Sequence, residues 1–112
     1  MATALATKLH LITDTLALPR EDVASIVGST PRSVSRWLSE DAAPQRLSRQ
    51  RLIELAYVAE AVSEVMEPGD ANIWLMSPNR LLDHDSPADR IRTGDFRSVL
   101  AVLDALADGI VV

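Results

Sequence analysis

A chain of 112 residues that is 47% hydrophobic is long enough for one domain, or two small subdomains sharing a core, and too apolar for disorder. The absence of cysteine removes disulfides, thiolate zinc sites and thiol nucleophiles together, and a cytoplasmic protein is expected. A net charge of -5 argues against a protein that coats nucleic acid indiscriminately, because phosphate neutralisation supplies most non-specific affinity.

The N-terminal stretch MATALATKLH lacks the charged start and continuous apolar run of a secretory signal, and no apolar run reaches membrane-spanning length. Leu5, Leu9, Ile12 and Leu16 recur at helical spacing, which predicts a first helix from about Ala4 to Leu16 with Lys8 and Asp14 outside. Pro19 ends the connection, and a second helix over Arg20 to Val27 carries Glu21 and Asp22 at its positive end. Ala24, four residues before Gly28, is small enough for close helix approach. Gly28 leaves that helix where a positive φ is useful, Thr30 is a good N-cap and Pro31 a good first helical residue. The third helix then runs to about Leu38. Two short helices joined this tightly read as a helix-turn-helix, with Val23, Val27, Val34 and Trp37 inward. Thr30, Arg32, Ser33, Ser35 and Arg36 are left for a partner such as duplex DNA.

The stretch SEDAAPQR, Ser39 to Arg46, is the best internal boundary, dividing residues 1–46 from residues 47–112. Ser48 is expected to cap a long helix through Val65, whose stripe is Leu52, Ala56, Ala59 and Val62, widened by Leu55. Glu67, Pro68 and Gly69 break it. Asp70 is expected to cap a short helix over Ala71 to Met76, ended by Ser77 and Pro78, and Asn79 to Leu82 reads as one turn. Ser86 and Pro87 start another helix that Gly94 stops; Asp95 caps the last, with Val99, Leu103 and Leu106 inward. No stretch alternates with a period of two. The fold expected is all-α, with seven or eight helices.

Charge is unevenly spread. Arg32, Arg36, Arg46, Arg49 and Arg51 face only Glu40 and Asp41 between Pro31 and Arg51, whereas Tyr57 to Val112 holds ten acids against four arginines. Arg32 and Arg36 share a helical face and can enter a major groove, where one bidentate arginine–guanine contact discriminates by roughly 1–3 kcal/mol. Arg46, Arg49 and Arg51 suit phosphates, and useful DNA affinity requires two copies presenting two such helices. The alternative is an exposed arginine face that reads no DNA. His84, in Asp83-His84-Asp85, is the one candidate for metal or acid–base chemistry, but no second histidine stands at ligand spacing, and a solvated loop fits it better. Neither a glycine-rich phosphate loop nor a nucleophile motif occurs, so no enzymatic activity and no cofactor are expected. Trp37 reads as a core anchor; Trp74 fits core and partner surface equally. The apolar tail Gly109-Ile110-Val111-Val112 suits a pocket on another protein as well as self-burial.

The segments VASIVGSTPRSVSRWL, PQRLSRQRLIELAYVAEAVSEV, NIWLMSPNRLLDHDSPADRIRTGDF and VLAVLDALADGIVV, in that order, resemble the Xre/MbcA/ParS-type antitoxins, partners of RES-domain toxins. The likeness covers nearly the whole chain. The tryptophan followed by SPNRLL, SPAD, TGDF and a C-terminal Gly-Ile-Val-Val carries most of its specificity. It implies a type II antitoxin whose C-terminal half binds a RES-domain toxin that destroys NAD, occluding the active-site entrance, with the C-terminal end near the nucleotide pocket. By position it implicates Trp74, Pro78, Asn79, Arg80, Leu81, Pro87, Gly94 and Gly109, Ile110, Val111 and Val112, of which Pro87 and Gly94 already have helix-boundary explanations. It also implies a homo-oligomer within the toxin–antitoxin complex and repression of the operon through the Arg32 and Arg36 face on operator DNA. Ser29 departs from the apolar residue that often supports such a turn, which weakens DNA reading more than toxin binding. The alternative is a free-standing helix-turn-helix regulator with a C-terminal dimerisation domain.

Overall fold

Seven α-helices and one 3-10 turn make up residues 4–109, which are the residues described by the computed structural model. They are α1 (Ala4–Thr15), α2 (Arg20–Val27), α3 (Pro31–Leu38), α4 (Arg46–Ser63), α5 (Pro68–Met76), the 3-10 turn Arg80–Leu82, α6 (Pro87–Arg92) and α7 (Phe96–Ala107). The all-α fold read from the sequence is the fold observed, and no strand occurs among the described residues.

Local chemistry sets the first three helices. Gly28 ends α2 at φ 74°, a left-handed conformation that costs a residue with a Cβ, and its N–H bonds back to the Ala24 carbonyl. The Thr30 hydroxyl then accepts the Ser33 N–H at 3.1 Å while Pro31 opens α3. Val23, Ala24, Val27, Val34 and Trp37 are all buried, so α2 and α3 lock through the residues expected.

Three boundaries differ from expectation. α4 starts at Arg46, not after a Ser48 cap; Ser48 is buried within the first turn and donates to the Val27 carbonyl at 3.0 Å. The last carbonyls of α2 have no partner in their own helix, and a hydroxyl brought alongside by tertiary packing supplies one. α4 also stops at Ser63, short of Val65, because the N–H groups of Val65 and Met66 both turn onto the Val62 carbonyl. α5 begins at Pro68 after Glu67, so Pro68-Gly69 opens a helix rather than breaking one: proline has no N–H to lose in a first turn. Asp70 lies inside that turn, where its carboxylate meets the positive end of the helix.

The core is one cluster running from Leu9, Ile12 and Leu16 of α1, through Val23, Ile26 and Val34, to Leu52, Leu55, Leu75, Ile91 and Val99. α4 is its spine, packing along α1 and also against α2, α6 and α7. A fully buried Leu or Ile is worth roughly 1.5–3 kcal/mol, so this cluster outweighs any surface pair. Side-chain bonds cross between its ends as well. Asn72 Nδ2 on α5 donates to the carbonyls of Leu16 and Ala17 at 3.2 and 3.1 Å, and Arg92 on α6 donates to the carbonyl and hydroxyl of Ser25 at 3.3 and 3.2 Å.

Candidate functional site

Where α5 ends, the chain makes a cleft. Ser77 is extended, as a residue before proline must be, and Pro78 carries the chain into the 3-10 turn. Asn79 organises that turn. Its Oδ1 accepts the Leu81 N–H at 2.9 Å, its carbonyl accepts the N–H groups of Leu82 and His84, and its own N–H donates to the Asp85 carbonyl. The resulting cleft, about 270 Å³, is lined by Ile73, Trp74, Ser77, Pro78, Asn79, Arg80 and Leu81.

Its chemistry is apolar walls with free donors. Ile73 and Leu81 are 63% and 56% exposed. Trp74 is 8% exposed, yet its Nε1–H is buried with no acceptor among the described residues. Trp74 is therefore a core ring, and one that carries an unspent hydrogen-bond donor. Arg80 is exposed and has no ion pair among the described residues. Asn79, expected as a contact, is buried and spends its carbonyl oxygens on the loop.

Arg90 braces the loop from behind, donating to the Leu82 carbonyl at 2.8 Å, to Asp85 at 2.9 Å and to Asp95 at 2.8 Å. These carboxylates, Asp85 first and Asp95 next, raise its pKa further above the usual arginine value. The Ser98 hydroxyl and then Arg90 hold the Asp95 carboxyl below the ordinary carboxylate range. Asp89 is lowered in the same sense, chiefly by the Ser86 hydroxyl within the capping box that starts α6. Sequence reading missed Arg90, although an arginine with aspartates five residues to either side was its available signal.

The other expected surface lies on α3. Thr30, Arg32 and Arg36 are exposed, whereas Ser33 and Ser35 are half-buried and the Thr30 hydroxyl donates to Ser33 Oγ. A polar groove of about 400 Å³ runs beside this face, lined in part by Thr30, Ser33, Arg36 and Gln45. Arg46 and Arg49 are exposed but sit on α4, not α3. Arg51, read as a phosphate contact, lies 3.6 Å from Glu54 with its side chain only 15% exposed; burial of Glu54 against the core demands a cation beside it. His84 is exposed at φ 70°, and neighbouring Asp85 is turned to Arg90. Gly109 ends α7 at φ 80°, while Ile110, Val111 and Val112 of the expected contact tail lie outside the described residues.

Residues 58–109, which hold the cleft, match the family model of the antitoxin Xre/MbcA/ParS C-terminal toxin-binding domain. Together with the whole-chain likenesses that follow, this settles the class: the chain belongs to the Xre/MbcA/ParS antitoxin family. Among individual proteins it is similar to mycobacterial cidal antitoxin MbcA of Mycobacterium tuberculosis (strain ATCC 25618 / H37Rv), with 54% identity over 97 residues covering 87% of this chain and 86% of the relative. A probable mycobacterial cidal antitoxin of the same organism is 30% identical over 88 residues, 79% of this chain and 75% of the relative. A chain of the crystal structure of the M. tuberculosis MbcT-MbcA toxin–antitoxin complex superposes with a TM-score of 0.87 at 49% identity, covering 99% of this chain and 100% of that one. No described helix is long and apolar enough to cross a membrane.

Proposed function

We propose that the chain is the antitoxin of a toxin–antitoxin pair, that its partner is a RES-domain toxin consuming NAD, and that it acts in the cytoplasm by covering the toxin's active-site entrance, without catalysis of its own. The observation that carries this reading is the Trp74 N–H, buried and unpaired at an apolar cleft within the segment similar to toxin-binding domains. A buried donor without an acceptor costs roughly 1–3 kcal/mol; the nitrogen is closed to solvent in the free chain, so a partner's acceptor recovers that cost once the cleft side chains shift to admit it. Ile73 and Leu81 give apolar contact, Arg80 a charged one, and Asn79 keeps the turn in shape. Residues 47–112 carry this role, with Gly109 to Val112 reaching the nucleotide pocket. The solved MbcT-MbcA complex, one chain of which has this fold, supports a protein partner.

Residues 1–46 carry the second role, repression of the operon. Arg32 and Arg36 stand free on α3 for base edges, with Thr30, Ser33 and Ser35 alongside. The decisive experiment measures NAD consumption by the RES-domain toxin with full chain, with a chain lacking residues 109–112, and with Trp74→Phe. Full chain should stop consumption and both variants should inhibit less. Undiminished NAD loss in the presence of excess full chain would overturn the reading.

A further inference from the structure

The cleft at the end of α5 is one-sided in its hydrogen bonding. Among its side chains only Asn79 Oδ1 and the Ser77 hydroxyl can accept a hydrogen bond, and the first is already taken by the Leu81 N–H at 2.9 Å. Donors are left over. The Trp74 Nε1–H is buried without an acceptor, and neither the Asn79 Nδ2 amide nor the Arg80 guanidinium donates to a described residue. Trp74 and Asn79 are 8% and 6% exposed, so their donors are built into the fold and not scattered over its surface.

The chain has carboxylates to spare, with 16 acids against 11 lysines and arginines. Arg90, behind the same loop, holds both Asp85 and Asp95, whereas Arg80 holds none among the described residues. Its neighbours are instead apolar. Ile73 and Leu81, exposed by 63% and 56%, border a cleft of about 270 Å³, which is room for side chains of a partner and not merely for a water. Apolar walls strengthen a charge-assisted hydrogen bond formed between them.

We propose that the cleft is a receptor for an acidic side chain of the toxin: an aspartate or glutamate whose carboxylate takes the Trp74 Nε1–H and the Arg80 guanidinium together, with an apolar neighbour seated between Ile73 and Leu81. The inference rests on the reading of the chain as an antitoxin and adds the chemistry of what its cleft accepts. A carboxylate has two oxygens and accepts from several donors at once. A neutral carbonyl would satisfy Trp74 and leave Arg80 without a counter-charge, and a basic toxin segment would meet a cation. Exposed Ile73 and Leu81 are the side chains that yield as the acid enters, since nothing packs over them within the fold. Asn79 Nδ2 stands ready as a third donor.

Calorimetric titration of the RES-domain toxin against the full chain tests it, with circular dichroism confirming that each variant keeps its helices. Arg80→Gln should weaken binding about tenfold and Arg80→Glu further, because a like charge then faces the toxin's acid. Carbodiimide coupling, which joins an amine to a carboxyl in contact with it, locates that acid. The complex formed with Arg80→Lys should cross-link from position 80 to one toxin aspartate or glutamate, identified by mass spectrometry and distinct from coupling at Lys8, the one lysine of the natural chain. Changing that toxin acid to lysine should restore binding to the Arg80→Glu chain. Equal affinities of wild type and Arg80→Gln overturn the proposal, as does the lack of a cross-link from position 80, or a lysine-bearing toxin that fails to rescue Arg80→Glu. A wild-type chain that does not bind the toxin at all brings down the antitoxin reading itself. A chain that binds and stops NAD consumption with no toxin carboxylate at position 80 removes only the acid receptor.

Discussion

Arg90 and Asp95 meet at 2.8 Å across the start of α7, and the same guanidinium holds the Leu82 carbonyl at the end of the cleft loop. The side chain that fixes the loop thus also joins the Ser98 hydroxyl, the larger cause, in favouring an ionised Asp95. Asp95 and Asp89 both titrate below the ordinary carboxylate range in the folded chain. A carboxyl lowered on folding adds stability that is complete above the unfolded value, about 3.9, and is lost as pH falls through the lower folded value. The melting temperature should therefore show a carboxylate-driven fall below about pH 4. Arg90→Met should lower it throughout, and should shrink the part of that fall due to Asp95, leaving the Ser98 contribution. An acid limb unchanged in Arg90→Met would show that the pair does not couple to folding.

Trp74→Phe keeps a ring in the core and deletes the unpaired N–H. Thermal unfolding should move little, by about 1 kcal/mol or less in either direction, because relief of the unpaired N–H is offset by the packing lost with the smaller ring. Toxin affinity should drop about tenfold, the equivalent of about 1.4 kcal/mol. Calorimetric titration of toxin against both chains checks this, and equal affinities would remove Trp74 from the interface.

Ser48→Ala reports on the link between α2 and α4. It strands the buried Val27 carbonyl that the hydroxyl now satisfies. The expected loss is about 1–3 kcal/mol by denaturant titration, far above the surface norm. A loss indistinguishable from zero would mean that water or another donor replaces Ser48.

Gly28→Ala probes the turn before α3. A Cβ there would meet nothing within 4 Å, so the whole cost is conformational. It should be roughly 1–2 kcal/mol, with operator binding preserved at temperatures where the chain stays folded. Binding lost while the fold persists would mean that the turn itself touches DNA.

Arg36→Ala should weaken operator binding and leave inhibition of the toxin unchanged. A gel-shift titration repeated at several salt concentrations would show a shallower salt dependence if the arginine neutralises phosphate, or a sequence-dependent loss if it reads a base. Unaltered affinity would remove α3 from DNA recognition.

What the sequence disclosed, and what it withheld, follows from the range of the interactions. Gly28, Thr30 and Pro31 act within four residues of themselves, so the α2–α3 turn was readable letter by letter. The stripe Leu52, Ala56, Ala59 and Val62, widened by Leu55, was readable because burial follows helical period, and all five are in the core. Ser48 misled for the opposite reason: serine before an apolar run looks like a cap, and only packing reveals that its acceptor is a carbonyl 21 residues away. Asn72, bound 55 and 56 residues back, gave no local signal at all. At the cleft, Trp74 and Pro78 were visible as types, but the missing acceptor at Nε1 depends on the whole neighbourhood.

The continuous core also limits how such proteins can be recombined. α4 belongs as much to α1 as to α6 and α7, and Asn72 and Arg92 fasten later helices to α1 and α2. A chimaera that joins residues 1–46 of one relative to residues 47–112 of another must therefore transplant matching surfaces of Leu9, Ile12, Leu52 and Leu55, not merely cut the connection before α4. The two proposed tasks lie on different surfaces, and a shared interior binds their inheritance together.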